Sequence, residues 1–315
     1  MSTVAAPAAP APLPPTPGTQ EEGEIELTPA QRRRRDRRSV ESSLSTGKIL
    51  GYLAMIGAVM LFFLPLYFIV ITSLKLRGEI YSNPITWFPS QFAPENYSHV
   101  IESMRFGKYL RNSIIITAIL TVVQVALGVM SAYAFALMRF PGRKILFMLV
   151  IGSLMVPNQM TIISNYSLVA QWGWRDTFQG IIVPLAGVAF GTFLMRNHFL
   201  SLPREILEAA EMDASGFFRT LFRVVLPMSW PTLAAFTLIT VVTEWNQYLW
   251  PFLIASDENT APLPVGLTLL QDVEGLTNWG PVMAGTILTT APMLVIFLLL
   301  QKQMIKGLTA GAVKG

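Results

Sequence analysis

The chain has 315 residues, of which 52% are hydrophobic and only 13% are charged, and its mean hydropathy is +0.49. Soluble globular domains carry about 25% charged residues, so this composition excludes an ordinary soluble domain and predicts a protein that spans a membrane. The chain contains no cysteine and carries a formal net charge of +4, so disulfides, thiol nucleophiles and cysteine-ligated metal sites are excluded as well.

Residues 1–46 differ in composition from the rest of the chain. Six prolines lie between Pro7 and Pro17 in an alanine-rich context, which cannot form a packed core, so we predict a disordered tail. The basic run from Arg32 to Arg38 ends a dozen residues before the first apolar segment. That position favours contact with anionic lipid and an orienting role over nucleic-acid binding.

Six windows without Asp, Glu, Lys or Arg follow the tail, and each approaches or exceeds the roughly 20 apolar residues that cross a bilayer. Only fully hydrogen-bonded helices or closed barrels cross hydrocarbon, and no alternating barrel pattern is visible. The windows therefore predict an all-α, polytopic membrane protein with six transmembrane helices at 47–315, whose core lies at about 107–302. The windows are 49–74, 112–138, 145–174, 177–195, 224–243 and 275–301, and the fifth is expected to continue to about Ile254.

Lysine and arginine predict the orientation, because they concentrate in the cytoplasmic loops of membrane proteins. They flank the first span on its amino side, occur in the second-to-third and fourth-to-fifth loops, and follow the sixth span, whereas the loop from Ser256 to Asn278 has none. Both termini and the fourth-to-fifth loop are therefore predicted to be cytoplasmic. The long first-to-second loop is the exception, with Lys75, Arg77, Arg105, Lys108 and Arg111.

The third predicted span contains polar side chains, of which Asn158 and Gln159 directly follow Pro157. Polar groups inside a membrane are costly to bury, so they are candidates for function. They could line the path of a polar solute. The alternative is hydrogen bonding between helices, which contributes only about 0.6–2 kcal/mol per contact.

A polar segment separates the fourth and fifth predicted spans. Ser201 and Pro203 are typical of a helix start, and a second helix is predicted from Phe217 to Pro227. A helix-turn-helix at the cytosolic membrane surface is suited to bind a soluble partner, although an amphipathic connecting loop is the alternative. The residues that define the pattern are Glu208, Ala209, Ala210, Asp213, Ala214, Ser215, Gly216, Leu226 and Pro227.

This pattern resembles the "EAA" loop of the inner-membrane permease subunits of bacterial ABC importers, with Ala214 where that family usually has glycine. In the family, this loop couples the permease to the ATPase, so the resemblance implies that role for the nine residues above. The stretches 112–113 and 307–315 resemble the maltose-type carbohydrate permeases. Within that group, 138–141, 245–251 and 275–283 resemble one of the two permeases of glycerol-3-phosphate importers.

The fifth predicted span contains the richest polar cluster, with Trp245, Asn246, Gln247 and Tyr248 after Glu244. Glu244, Gln247 and Tyr248 have helical spacing, and Pro251 is expected to break the helix one turn later. Such a break frees backbone carbonyls beside hydrogen-bonding side chains. We therefore predict that Trp245 to Tyr248 line a solute path, with interhelical bonding again as the alternative.

No pattern in the sequence supports an enzyme. Gly47-Lys48 lacks the upstream glycine and the following Ser or Thr of a phosphate-binding loop, and no catalytic or metal-ligand cluster occurs within the spans. Energy must then come from another subunit or from an ion gradient. An ion-coupled secondary transporter, with Glu244 as its one deep charge, is the alternative class, but no internal repeat is visible.

The family resemblance implies a transport subunit in a bacterial cytoplasmic membrane. Its expected partners are a second permease, a homodimer of ATPase subunits, an external solute-binding protein and the lipid bilayer, with no nucleic acid. No cofactor is expected on this chain, because ATP and Mg would be used by the ATPase. Glycerol-3-phosphate or glycerophosphodiesters are the implied solutes, and a mono-, di- or oligosaccharide is the alternative.

Overall fold

The computed structural model describes residues 46–213, 216–271, 275 and 277–309, and for Thr46, Glu211 and 302–309 it describes the backbone alone. Apart from Thr46, the predicted disordered tail lies outside the described residues, as do Ala214 and Ser215. The regular structure of the described part is helical throughout. In chain order the α-helices are α1 (Thr46–Ser73), α2 (Arg77–Ile80), α3 (Glu95–Ser103), α4 (Phe106–Leu137), α5 (Arg143–Ser153), α6 (Asn158–Gln171), α7 (Phe178–Leu185), α8 (Ala189–Leu200), α9 (Arg204–Met212), α10 (Phe217–Thr220), α11 (Leu226–Met228), α12 (Trp230–Trp245), α13 (Leu249–Ile254), α14 (Leu263–Gly266) and α15 (Trp279–Thr309).

Three of these helices are long and apolar enough to cross a membrane as single rods, namely α1, α4 and α15. Three further spans are bent pairs: α5 with α6 at 94°, α7 with α8 at 44°, and 217–228 with 230–254 at 87°. Counting each pair as one span gives up to six by length and composition within the described residues. The predicted all-α, polytopic architecture is confirmed.

The bends lie where the sequence disfavours a continuous helix. Between α5 and α6 the chain becomes extended at Pro157, which has ψ 130° and no N–H to donate to the preceding turn. In the fifth span the window predicted to begin at 224 is not straight, because the chain bends at Ser229 before Pro231 enters the first turn of α12. A π-helical turn at Leu221–Val225 precedes that bend.

The described part of the chain divides into two units, the first of which ends at Phe63 and the second of which begins at Leu64. In the first unit, residues 47–63 of α1 form an apolar helix whose side chains are exposed along its whole described length. Such a surface is stable only in an apolar surrounding, as expected for a helix that faces lipid.

The second unit has two apolar cores along the length of α4. One contains Ile116 and Leu120 of α4 with residues of α3, α7 and α12–α15. The other contains Tyr133 of α4 with Met195 and Phe199 of α8 and the π-helical turn; we call it the loop-side core. The α4 helix packs most extensively against α8, and α12 packs against α15 and α4.

Candidate functional site

The predicted coupling loop begins with α9, whose two faces differ. Leu207 packs against the loop-side core and Ala210 is buried, whereas Glu208 and Ala209 are exposed. Ser201 does not cap α9 as the sequence predicted, since its hydroxyl donates to the carbonyl of His198 at 2.8 Å and ends α8. The α9 helix therefore presents its Glu-Ala pair to solvent on a helix seated against the membrane domain.

The second half of the loop is anchored by apolar side chains. Phe217 packs edge-on against Tyr133 of α4, with ring centres 4.8 Å apart. Leu221 and Val225 are fully buried, and the buried Ser229 hydroxyl donates to the Val225 carbonyl at 2.7 Å. A displacement of this loop must therefore also displace the ends of α4 and α8 that share its core.

The outer surface of the loop combines apolar and charged groups. Phe218 and Phe222 are about 60% exposed and stack on one another at 6.4 Å. Asp213 lines a polar cavity of about 380 Å³ together with Arg219 and Arg223. Exposed aromatic rings beside arginines are typical of surfaces that bind another protein. Leu226 is half-buried and Pro227 is exposed at the end of the loop.

The fifth span breaks at Asn246–Tyr248, earlier than the break expected at Pro251. The α12 helix ends at Trp245, and the amide of Asn246 folds back to donate to the Val242 carbonyl at 2.7 Å. Pro251 lies in the first turn of α13, where its missing N–H would have no helical partner in any case. Asn246 and Tyr248 are exposed beside the break, and Tyr248 stacks on Phe252 at 5.4 Å.

Trp245 and Glu244 point to the interior of this chain. Trp245 is 4% exposed, and its indole N–H donates to the Thr289 carbonyl of α15 at 3.1 Å. Gln124 of α4 donates to Glu244 Oε1 at 3.0 Å and to the Leu185 carbonyl of α7 at 2.7 Å. These contacts tie the end of α12 to three neighbouring helices directly before the exposed break.

Asn158 and Gln159 begin α6 and are exposed, as are Met160 and Ile163 on the same helix. The Asn158 carbonyl accepts a hydrogen bond from the Thr161 hydroxyl at 3.0 Å. The α6 helix packs against α13, so the two predicted polar clusters lie on neighbouring elements. The structure thus provides exposed polar groups at two bends of the same unit.

The amino end of α4 holds polar contacts whose role the sequence did not reveal. Asn112 donates to the carbonyls of Glu258 and Ala261 at 2.9 and 3.0 Å, and the Ser113 hydroxyl accepts from the Leu263 amide at 2.8 Å. Glu258 pairs with Lys108 at 2.6 Å and also with Arg105, and the hydrogen bond from Lys108 lowers the pKa of the Glu258 carboxyl. Asn112-Ser113 was visible in the sequence only as part of a family resemblance.

Comparison with known proteins finds a family profile and relatives that are all membrane components of transport systems. A profile of the family described as binding-protein-dependent transport system inner membrane component matches residues 124–309. The sn-glycerol-3-phosphate transport system permease protein UgpE of Yersinia pestis is 35% identical over 267 residues, covering 82% of this chain and 95% of that protein. The probable ABC transporter permease protein YurM of Bacillus subtilis is 32% identical over 254 residues, covering 80% and 83%.

A solved structure shares the fold. It is a bacterial ABC transporter involved in the import of the acidic polysaccharide alginate, and it aligns with a TM-score of 0.73 at 23% identity, covering 82% of this chain and 98% of that chain. The family profile matches more than half of the present sequence, and the relatives align over most of their own length. This chain therefore belongs to the family of inner membrane components of binding-protein-dependent transport systems, the permease subunits of ABC importers.

Proposed function

We propose that this permease forms half of the translocation path of an ATP-driven importer for glycerol-3-phosphate or glycerophosphodiesters. The observation that carries this proposal is the relationship to sn-glycerol-3-phosphate transport permeases, which are 31–35% identical over nearly their whole length in species of Yersinia, Pectobacterium and Brucella. The other half of the path would come from a second permease. An external solute-binding protein would deliver the solute.

The loop from α9 to α11 is proposed to dock onto a homodimer of ATPase subunits. The exposed Glu208 and the exposed rings of Phe218 and Phe222 support this role, because a carboxylate can pair with basic or amide groups of a partner while aromatic rings enter its pockets. ATP and Mg would be bound by the ATPase and no cofactor by this chain. The loop and both termini would then be cytoplasmic, with a disordered tail at 1–46 and a permease core at about 107–302.

The solute path is proposed to run past the break of the fifth span. Asn246, Gln247 and Tyr248 would contact solute there, with Asn158 and Gln159 on the neighbouring α6. Trp245 would act by holding the end of α12 against α15, since its side chain is buried and its indole N–H is bonded. Closure of the ATPase dimer would move α9, and the two permeases would rock to expose the path to the outside.

A neutral carbohydrate is the second candidate solute. The reason is the charge of the proposed path, which offers amide and phenol groups but no Lys or Arg to pair with a phosphate. An anionic solute would have to meet its cations on the partner permease or on the binding protein.

The solute class is tested by reconstituting the complete importer in liposomes with ATP inside and binding protein outside. We expect uptake of labelled glycerol-3-phosphate to exceed that of maltose and of other disaccharides. ATP-dependent uptake of a disaccharide without uptake of glycerol-3-phosphate would overturn the phosphate assignment and leave the permease assignment intact.

The docking role is tested by Glu208→Lys in the same complex. Because the variant reverses a charge at the proposed ATPase contact, we expect weaker copurification of the ATPase and little uptake, with unchanged insertion in the membrane. Glu102→Lys, at an exposed acid on α3, is the matched control. Normal uptake and normal ATPase stimulation in Glu208→Lys would contradict the docking role.

A further inference from the structure

Two arginines from different helices bind the last turn of α4. Arg196 of α8 donates its Nε–H to the Phe135 carbonyl at 3.2 Å, and Arg143 of α5 donates through Nη1 to the Met138 carbonyl at 2.8 Å. The guanidinium carbon of Arg196 also lies 4.0 Å from the centre of the Phe147 ring. Since a guanidinium carries five N–H groups, one backbone bond positions each group and leaves most of its donors for another acceptor.

The positive charge of this arginine pair is not balanced by an acid in the described part of the chain. The ion pairs found there involve Glu258 with Arg105 and Lys108, at other positions of the fold. Arg143 and Arg196 bond carbonyls that are three residues apart in the chain, so two like charges are placed at the same end of α4. The carboxyl end of α4 offers roughly half a negative charge against two full positive ones, and the exposed Arg139 and Lys144 add two more.

The surface beside the arginine pair is apolar. Ile145, Met148 and Leu149 on the first two turns of α5 are 65–71% exposed. They follow Arg143, the first residue of α5, within two turns. The surface of α5 therefore changes from cationic at its first residues to apolar directly after them. A ligand that matches both parts has an anionic head and an acyl tail, which is the chemistry of an acidic phospholipid.

We propose that Arg143 and Arg196 bind the phosphate of an anionic phospholipid in the cytoplasmic leaflet, with its acyl chains along the exposed face of α5. A guanidinium binds phosphate oxygens through two parallel N–H groups, which a lysine in the same place cannot do. The lipid would join α5 and α8 at the carboxyl end of α4. Arg196 lies in the last turns of α8, the helix that directly precedes α9. The inference concerns a structural lipid site and is independent of which solute the importer carries.

The experiment is native mass spectrometry of the complete importer, equilibrated with phosphatidylglycerol or with phosphatidylcholine of the same acyl chains. We expect the wild-type complex to retain phosphatidylglycerol preferentially. Arg143→Gln and Arg196→Gln should each weaken that retention about fivefold, which is the scale of one basic residue at an anionic surface. The matched control is Arg175→Gln, because Arg175 also lies over an aromatic ring, that of Tyr166 at 5.7 Å, but on another part of the fold.

Equal retention of both lipids by the wild-type complex would overturn the proposal, and this comparison does not depend on the folding of any variant. An equal loss in Arg175→Gln would also overturn it, because the effect would then be general electrostatics. Displacement of the lipid by millimolar inorganic phosphate would assign the site to a soluble anion instead. Loss of the ATPase from Arg196→Gln, without selective lipid retention in the wild type, would assign the pair to a protein contact.

Discussion

At the scale of single residues, one ring and two glycines form a close packing contact between three helices. The Phe236 side chain of α12 is buried between Gly128 of α4 and Gly191 of α8. A Cβ at Gly191 would lie 2.0 Å from Phe236 Cζ, and one at Gly128 would lie 2.9 Å from the same ring. The adjacent Ser131 and Thr192 hydroxyls share a hydrogen bond of 2.6 Å. Glycine is required here for the close approach of three helices.

Gly191→Ala should destabilise the protein. Alanine favours a helix by roughly 0.5–1 kcal/mol over glycine, whereas overpacking a core costs about 1–3 kcal/mol, so the clash with Phe236 outweighs the gain in propensity. We expect a lower thermal midpoint by intrinsic tryptophan fluorescence of the purified complex. Gly152→Ala on α5 is the control, since Gly152 is also helical and no atom beyond its own helix backbone and chain neighbours lies within 4 Å of its added Cβ. An unchanged midpoint in Gly191→Ala would show that the ring has room to move.

Variants of the neighbouring residues Trp245 and Asn246 distinguish a role in helix packing from a role in solute transport. Asn246→Leu removes an exposed amide at the break, so we expect uptake to slow about two- to tenfold, the scale of one neutral hydrogen bond of about 0.5–1.5 kcal/mol. Trp245→Phe removes the bond to the Thr289 carbonyl and should instead lower the thermal midpoint of the complex. If Asn246→Leu destabilises the complex and leaves uptake kinetics unchanged, its amide serves helix packing alone.

At the scale of elements, the loop between α13 and α14 is tied to α4 by side chains. Asn112 and Ser113 bond the backbone of that loop, and Glu258 bonds Lys108 and Arg105 in return. Asp176, in the turn before α7, accepts from the Ser256 amide at 2.5 Å. The amino ends of α4 and α7 and the carboxyl end of α13 are therefore held together through a loop that has no regular structure at that point.

The contribution of Glu258 should depend on pH. Its folded-state pKa is lowered, so its stabilising contribution is present above the unfolded value of about 4.3 and is lost as the pH falls through the folded value. We expect Glu258→Gln to be less stable than wild type at pH 7, with the difference vanishing at acidic pH. A difference that stays constant from pH 7 to pH 3 would contradict the ionic role.

At the scale of the whole molecule, membership of the permease family replaces the secondary transporter that the sequence left as an alternative. In this family the inner membrane component belongs to a binding-protein-dependent system, so Glu244 does not need to be a coupling-ion site. Its bond from Gln124 and its burial at the end of α12 give it a packing role within this chain.

The proposed orientation is testable because the chain has no native cysteine. Single cysteines at Asn259, in the loop between α13 and α14, and at Met212, which is 87% exposed, provide two labelling sites in the same protein. In intact cells with a permeabilised outer barrier, an impermeant maleimide should label the cysteine at 259 and leave the one at 212 unlabelled until the cells are lysed. The reverse pattern would invert the topology.

The candidate site could be predicted from sequence where it depends on local pattern. The spacing of Glu208, Asp213 and Pro227 marks the proposed coupling loop without reference to the fold, and the polar run at Asn246–Tyr248 stands out against an apolar span. The position of the break was predicted wrongly, because Pro251 was expected to end the helix. A proline can end a helix or lie in the first turn of the next one, depending on where the preceding helix loses its backbone hydrogen bonds. Tertiary contacts such as the hydrogen bond of Trp245 to the Thr289 carbonyl decide that position.

The class of protein, the approximate spans and the family follow from the amino-acid sequence alone, because hydrophobic windows of bilayer length and fixed motif offsets are local properties of the chain. Only the tertiary structure showed which spans bend, that Trp245 is buried while its neighbour Asn246 is exposed, and that Arg143 and Arg196 both bond carbonyls at the end of α4. Each of these depends on side chains far apart in sequence whose packing and hydrogen bonds form only when the helices come together.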